Sequence, residues 1–361
     1  MRIAFHGSSL LSAVWNGAAT YYRGVIRALH ARGHRVAFFE PRAFGRQERA
    51  DIDPPGWCEV VVWEPDAPGL RAVAARAAEF DAVIKCSGVG VLDAEIQEAV
   101  WSAARPGALR LYWDVDAPAT LAGLEADPSD PLRAWLPRLD LVLTYGGGDP
   151  VIGRYRALGA QDCVPVYNAL DPETHHPAAP EPRFAAGLAF LGNRLPDREA
   201  RVEEFFLRPA AMLPGRDFLL GGSGWEGKDL PGNVRLLGHV STREHNAFNC
   251  TPLAVLNVSR ESMAANGHSP ATRVFEVAGA GACLITDAWE GLDAFLAPGR
   301  EVLVARDGAE VAEALEGLTP GRAARIGAAA RSRTLRDHTY ERRAAEVEAR
   351  LEAALAGRAV A

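Results

Sequence analysis

Short, continuously apolar runs alternate along this chain with longer stretches whose apolar positions recur every three or four residues. The runs fall at 2–6, 35–40, 58–63, 80–85, 109–113, 140–144 and 163–167, and again at 187–191, 217–220, 234–237, 253–258, 283–286 and 301–304. A strand with one wet face alternates apolar and polar residues. A run that is apolar throughout suits a strand covered on both faces of a parallel sheet. The intervening segments read as helices; in 18–32, Tyr22, Val25, Ile26 and Leu29 share one face. Strand and helix in strict alternation predict doubly wound α/β architecture.

The rhythm is interrupted once. Residues 171–180 are polar and proline-rich and read as an exposed linker that carries His175 and His176. The pattern then restarts, and the tail from about 319 to 357 is helical and rich in Ala, Arg and Glu. The expected division is a Rossmann-like domain over 1–170, a second over 171–335, and a C-terminal helix over 336–361 that packs back on the first. Two such units leave a cleft between them, and ligands of open α/β sheets bind beyond the strand C-termini.

A length of 361 residues suits two ordinary domains. A net charge of −7 without a basic block argues against a nucleic-acid partner. Lys85 and Lys228 are the only lysines, so any phosphate clamp must be built mainly from arginine or backbone N–H groups. The five cysteines form no C-x-x-C pair and read as reduced core residues of a cytoplasmic protein. No run is long enough to span a membrane, and no cluster with metal-ligand spacing stands out.

The most informative segment is 253–287. A strand ends at Asn257-Val258-Ser259, and Ser269-Pro270 is expected to open a helix, with Ser269 as N-cap and Pro270 in the first helical position. The N–H groups of the first turn, around Thr272, then attract phosphate. Arg273 and Glu276, three residues apart, share a face. Glu276 lies roughly 10 Å from Ser269, at about 1.5 Å per residue, which is a span from diphosphate to ribose. In isolation, an ordinary capped helix with a surface Arg–Glu pair has the same pattern.

The neighbouring residues take the reading further. Asn257-Val258-Ser259-Arg260, then Gly267-His268-Ser269-Pro270-Ala271-Thr272-Arg273-Val274-Phe275-Glu276, then Ala280-Gly281-Ala282-Cys283-Leu284-Ile285-Thr286-Asp287 resemble the C-terminal half of GT-B glycosyltransferases. The resemblance is greatest to the CgeB (spore maturation protein) group, related to glycosyltransferase families 1 and 4. It implies two Rossmann-like domains facing a central cleft and a hexosyl-type transfer from a nucleoside-diphosphate sugar, with a UDP-sugar favoured. No metal is implied, because helix dipole and basic side chains stabilise the leaving diphosphate.

The resemblance also implies residue roles. Glu276 would bind the donor ribose, and Ser269, Thr272 and Arg273 the diphosphate. Phe190-Leu191-Gly192-Asn193-Arg194 resembles the first strand end of the donor domain, where Arg194 would be one member of a basic pair and Arg198 or Arg201 the other. The strand and turn through Gly238 and His239 would read the base through its backbone, so the base is hard to see in side chains. The resemblance to families with a paired-glutamate helix implies retention of anomeric configuration; retaining members carry a second glutamate eight positions before the first. Here that position is His268, and the nearest upstream acid is Glu261.

The first half offers fewer candidates. Asn16 and Gly17 follow the first strand, and Gly17 would permit close approach of a ligand to the backbone. Tyr145 and Asp114 end central strands. Asp114 is the candidate to contact or deprotonate an acceptor hydroxyl, whereas Asp116 reads as the N-cap before Ala117-Pro118. The acceptor itself is not legible. A sugar-nucleotide epimerase of the same architecture and a non-catalytic nucleotide-sugar-binding protein are the rival readings.

Overall fold

The computed structural model describes residues 1–13 and 17–360. The chain divides into two compact units, Met1–Tyr167 with Tyr340–Ala361, and Asn168–Thr339. The first unit contains β1 (Arg2–His6), β2 (Arg35–Pro41), β3 (Glu59–Trp63), β4 (Ala82–Cys86), β5 (Leu109–Asp114), β6 (Leu141–Thr144) and β7 (Cys163–Pro165). The second contains β8 (Leu188–Leu191), β9 (Phe218–Gly221), β10 (Val234–Gly238), β11 (Ala254–Asn257), β12 (Leu284–Asp287) and β13 (Leu303–Ala305). Every apolar run in the sequence became a strand.

All pairings are parallel. The sheet orders are β3-β2-β1-β4-β5-β6-β7 and β10-β9-β8-β11-β12-β13. In each sheet the chain first winds outward in one direction and then returns to the other side of its first strand. The order therefore reverses between β1 and β4 and between β8 and β11, where ligands of doubly wound folds bind. Helices on both faces account for strands that are buried along their length, as in Ala82–Cys86.

An aromatic core locks the helix Ala18–Ala31 onto the first sheet. Tyr22 packs edge-on to Phe5 and against Trp113, while Phe5 stacks on Phe38. Two buried polar tips within this cluster are satisfied in series. The Trp113 indole N–H donates to the Tyr21 hydroxyl at 3.0 Å, which donates to the Val166 carbonyl at 2.6 Å. The five cysteines are unbridged.

The helical tail is two helices, Pro320–Asp337 and Tyr340–Val360, where the sequence suggested a single stretch. At the break, His338-Thr339 pairs with Leu170. Leu170 N–H donates to the His338 carbonyl at 2.8 Å, and Leu170 bridges Thr339. The terminal helix belongs to the first unit and packs along Ala18–Ala31. Residues 171–180 are docked within the second unit: Asn246 exchanges hydrogen bonds with Thr174 and His176, and Thr251 accepts from the Glu181 N–H. Among the described residues, no helix is long and apolar enough to cross a membrane.

The Tyr340–Val360 helix approaches Ala18–Ala31 closely because Gly24 has no side chain. A Cβ there would fall 2.2 Å from the Tyr340 ring. Gly24→Ala is expected to destabilise the first unit by about 1–3 kcal/mol through overpacking and to speed proteolytic release of the terminal helix. Gly17→Ala, whose Cβ would meet nothing within 4 Å, should leave the thermal midpoint unchanged.

Candidate functional site

Beyond β11 the chain forms a short helix, Glu261–Asn266, and then turns through Gly267 (φ 67) and His268 (φ 45). His268 is a non-glycine residue in the left-handed region, a conformation that costs free energy and is concentrated at functional sites. Its N–H donates to the Glu290 carbonyl at 2.6 Å. Its ring lies against Gly291, where a Cβ would come within 2.1 Å of Nδ1. The next helix is Thr272–Gly279, with Ala271 at its N-cap and no side-chain cap.

This start corrects the sequence reading. Ser269 does not cap the helix, and Pro270 precedes it. The two left-handed residues turn the loop so that the Ser269 hydroxyl donates back to the Gly267 carbonyl at 2.8 Å. The Pro270 carbonyl is taken by Asn168 Nδ2 at 2.9 Å. Thr272 and Arg273 lie in the uncapped first turn, where the backbone dipole favours an anion.

Arg273 and Glu276 do share a face, with Nη1 and Oε2 2.9 Å apart and both side chains largely buried. Two histidines unforeseen in the sequence join them. His175, expected in an exposed linker, is buried with Nε2 3.8 Å from Glu276 Oε1. His245 opens the helix His245–Cys250, with its ring 6.3 Å from that of His175. Burial alone would raise the Glu276 carboxyl, but Arg273, His175 and His245 together hold it at about 2. Burial and the Arg273 charge push His245 down to about 4.

The arginines around the helix Pro196–Val202 have different environments. Arg201 is neutralised: it meets buried Asp287 at 2.6 Å and Glu261 at 3.0 Å. Arg194 pairs with Glu199 at 2.6 Å, and Glu199 also holds Lys228 at 2.8 Å. Arg198 lies over the Phe190 ring and donates to the Asn193 carbonyl, with its buried Nε lacking a hydrogen-bond partner. Burial, then repulsion from Arg273, lowers the Arg198 guanidinium to about 10. Arg198 is half-buried, and the Arg273 charge opposes its own. Of the two arginines the sequence left open, Arg201 supports Asp287 and Arg198 packs over Phe190.

Gly238 ends β10 with φ 72, just past a register shift, and its carbonyl accepts from the Gly222 N–H at 2.7 Å. His239 follows it and is exposed.

In the first unit, Asp114 is fully buried and committed to its own fold. Oδ2 accepts from the Tyr155 hydroxyl at 2.5 Å, and Oδ1 accepts from Thr120 at 3.0 Å and from the Asp116 N–H at 2.9 Å. Burial raises its carboxyl despite these donors. The expectation that Asp114 faces an acceptor is therefore corrected: it ties β5 to two following helices. Asp116 occupies the N-cap position before Ala117–Ala126 but makes no side-chain cap hydrogen bond. Tyr145 is half-buried, its ring edge-on to Tyr21 at 5.8 Å. Gly17 precedes the helix Ala18–Ala31 with an ordinary φ of −59, so the backbone there does not require glycine. Asn16 lies outside the described residues.

Residues 198–349 match the model of a family described as "Glycosyl transferase-like". No curated protein matches the chain. Among solved structures, sucrose-phosphate synthase from Thermosynechococcus elongatus is similar at a TM-score of 0.73 and 15% identity, over 99% of this chain and 100% of that one. Anabaena Alr3699/HepE in complex with UDP-glucose is similar at 0.67 and 15%, over 98% and 100%. AviGT4, a glycosyltransferase involved in avilamycin A biosynthesis, is similar at 0.63 and 18%, over 99% and 98%. The fold is GT-B. The GT-B chain described here carries its family match on the second unit and the terminal helix, and the match begins at Arg198.

Arg198 and Arg201 provide a direct contrast. Arg201→Ala strands the buried Asp287 carboxylate and should lower the stability of the second unit by about 3 kcal/mol or more. Arg198→Ala removes a repulsion and should leave the unfolding midpoint unchanged or raised. In the first unit, Asp114→Ala should cost about 2–3 kcal/mol by leaving buried donors unpaired. Urea unfolding of the three variants beside the wild type checks all three outcomes.

Proposed function

We propose that this protein is a glycosyltransferase that moves a hexosyl group from a nucleoside-diphosphate sugar, a UDP-sugar in the first instance, to an acceptor hydroxyl. The observation that carries the reading is the uncapped first turn of Thr272–Gly279, with Arg273 in that turn and Arg198 held in its repulsive field. Arg273 is paired with Glu276, while the Arg198 charge is opposed by burial and by Arg273, so an added anion would relieve it. A diphosphate supplies that charge and the matching bidentate geometry. The family match over 198–349 and the GT-B fold support the same donor class.

In the transfer, the bond from the anomeric carbon to the β-phosphate oxygen breaks and its electron pair stays on the diphosphate. The acceptor oxygen forms the new bond to that carbon, and its proton passes to the departing β-phosphate oxygen. Negative charge grows on the leaving diphosphate, where Arg198, Arg273 and the N–H groups of Thr272 and Arg273 stabilise it. Glu276, held ionised, accepts from a ribose hydroxyl. Gly238 and His239 are assigned to the base, Arg194 to the outer phosphate, and His268 to the sugar end of the donor. The first unit is assigned the acceptor, with Tyr145 as a contact. Within the GT-B enzymes we place the chain with the CgeB-like group, as a cytoplasmic enzyme. The chain's own residues leave the stereochemical outcome to product analysis, because His268 stands where a retaining glutamate is expected.

A thermal-shift screen against UDP, GDP, ADP and TDP tests the donor class. UDP should raise the midpoint as its concentration exceeds its dissociation constant. Arg198→Ala and Arg273→Ala should each weaken binding about 10–100-fold, the size of one lost charge-assisted contact. A chain that no nucleoside diphosphate stabilises would sink the proposal.

A further inference from the structure

The second unit gathers three metal-ligating side chains from segments far apart in sequence. His175 comes from the docked stretch after Leu170, His245 opens its helix, and Glu276 lies one turn into Thr272–Gly279. One ligand atom from each lies within 4.8 Å of the other two. The Nδ1 atom of His175 meets the Thr174 hydroxyl at 3.0 Å, so Nε2 is the end that faces Glu276. His175 is 4% exposed, and its Nε2 makes no hydrogen bond. His245 Nδ1 is likewise buried without a hydrogen-bond partner. Buried nitrogens of this kind are rare, because each keeps its desolvation cost unless a partner satisfies it.

We propose that His175, His245 and Glu276 form a binding site for a divalent transition metal, with zinc the ion best matched to the donors. Two imidazoles and one carboxylate are a borderline-soft set, and three protein ligands leave a fourth position for water. Arg273 engages Glu276 through Oε2, which leaves Oε1, the oxygen nearer His175, for the ion. The Thr174 contact on Nδ1 orients the His175 ring, as outer partners of metal-bound histidines do. Ligand bonds of about 2.0–2.2 Å require the three groups to close in by roughly an ångström. The ion would fasten the 171–180 segment to two helices of the same unit. The site shares Glu276 with the proposed ribose contact but does not depend on nucleotide binding.

The test uses the full chain, stripped with a chelator and dialysed against Zn2+ alone. One ion per chain is expected, together with a higher midpoint for the second unit. His175→Phe, which keeps a ring in the buried space, and His245→Ala should each weaken binding at least tenfold. Titration with Co2+ should give the visible absorption of a low-coordinate histidine–carboxylate site in the wild type, independently of the variants. Absence of saturable binding overturns the site, and so does one-ion binding that neither variant changes. If zinc binds as described while no nucleoside diphosphate does, the metal site stands and the glycosyltransferase reading falls. The converse result separates them the other way.

Discussion

A parallel sheet covered on both faces admits charge only where its strands end, and this constraint organises both units. Along their lengths the strands are apolar; the buried polar residues sit at the carboxyl ends. His6, Glu40, Lys85, Asp114 and Thr144 close strands of the first unit, and Asn257, Thr286 and Asp287 close strands of the second. Each buried charge there needs a partner from a neighbouring loop or helix. Glu40 takes the N–H groups of Leu10 and Leu11, Lys85 pairs with Asp93, and Asp287 takes Arg201 and Ser259. The loops at this edge are thereby fixed in place, and a rigid edge is what a binding site requires.

The same constraint explains what the sequence disclosed. Continuous apolar runs are hard to mistake for anything but doubly covered strands, so all thirteen were legible. The Arg273–Glu276 face followed from helical spacing alone. The helix start did not, because two left-handed residues, Gly267 and His268, redirect Ser269 toward its own loop. Propensity favours Ser as a cap but is blind to a turn whose second residue is not glycine. Asp114 misled for a related reason. A carboxylate at a strand end has the position of a cleft residue, and only the hydroxyls of Tyr155 and Thr120, brought in from later elements, show that it is consumed internally.

His175 and His245 were illegible for a different reason. They lie seventy residues apart, one of them in a proline-rich stretch whose composition signals solvent. What buries His175 is tertiary: Asn246 holds the backbone on either side of it, and Glu276 attracts the ring. Composition describes what a segment would do alone, and this segment is not alone.

Arg198 and Arg201 differ by one helical turn and were indistinguishable in sequence. Their surroundings separate them on energetic grounds. Arg201 is compensated by a fully buried carboxylate, so folding alone accounts for it. Arg198 is half-buried over an aromatic ring, its charge opposed by desolvation and by Arg273 and only partly offset by Asp197, which is itself paired with Arg260. Its return from folding is the Asn193 carbonyl and the Phe190 ring, with no carboxylate as close as the one Arg201 has. Arg273, in the uncapped first turn of Thr272–Gly279, stands where the helix dipole favours an anion, and the repulsion it exerts on Arg198 is of the sign an anion would relieve.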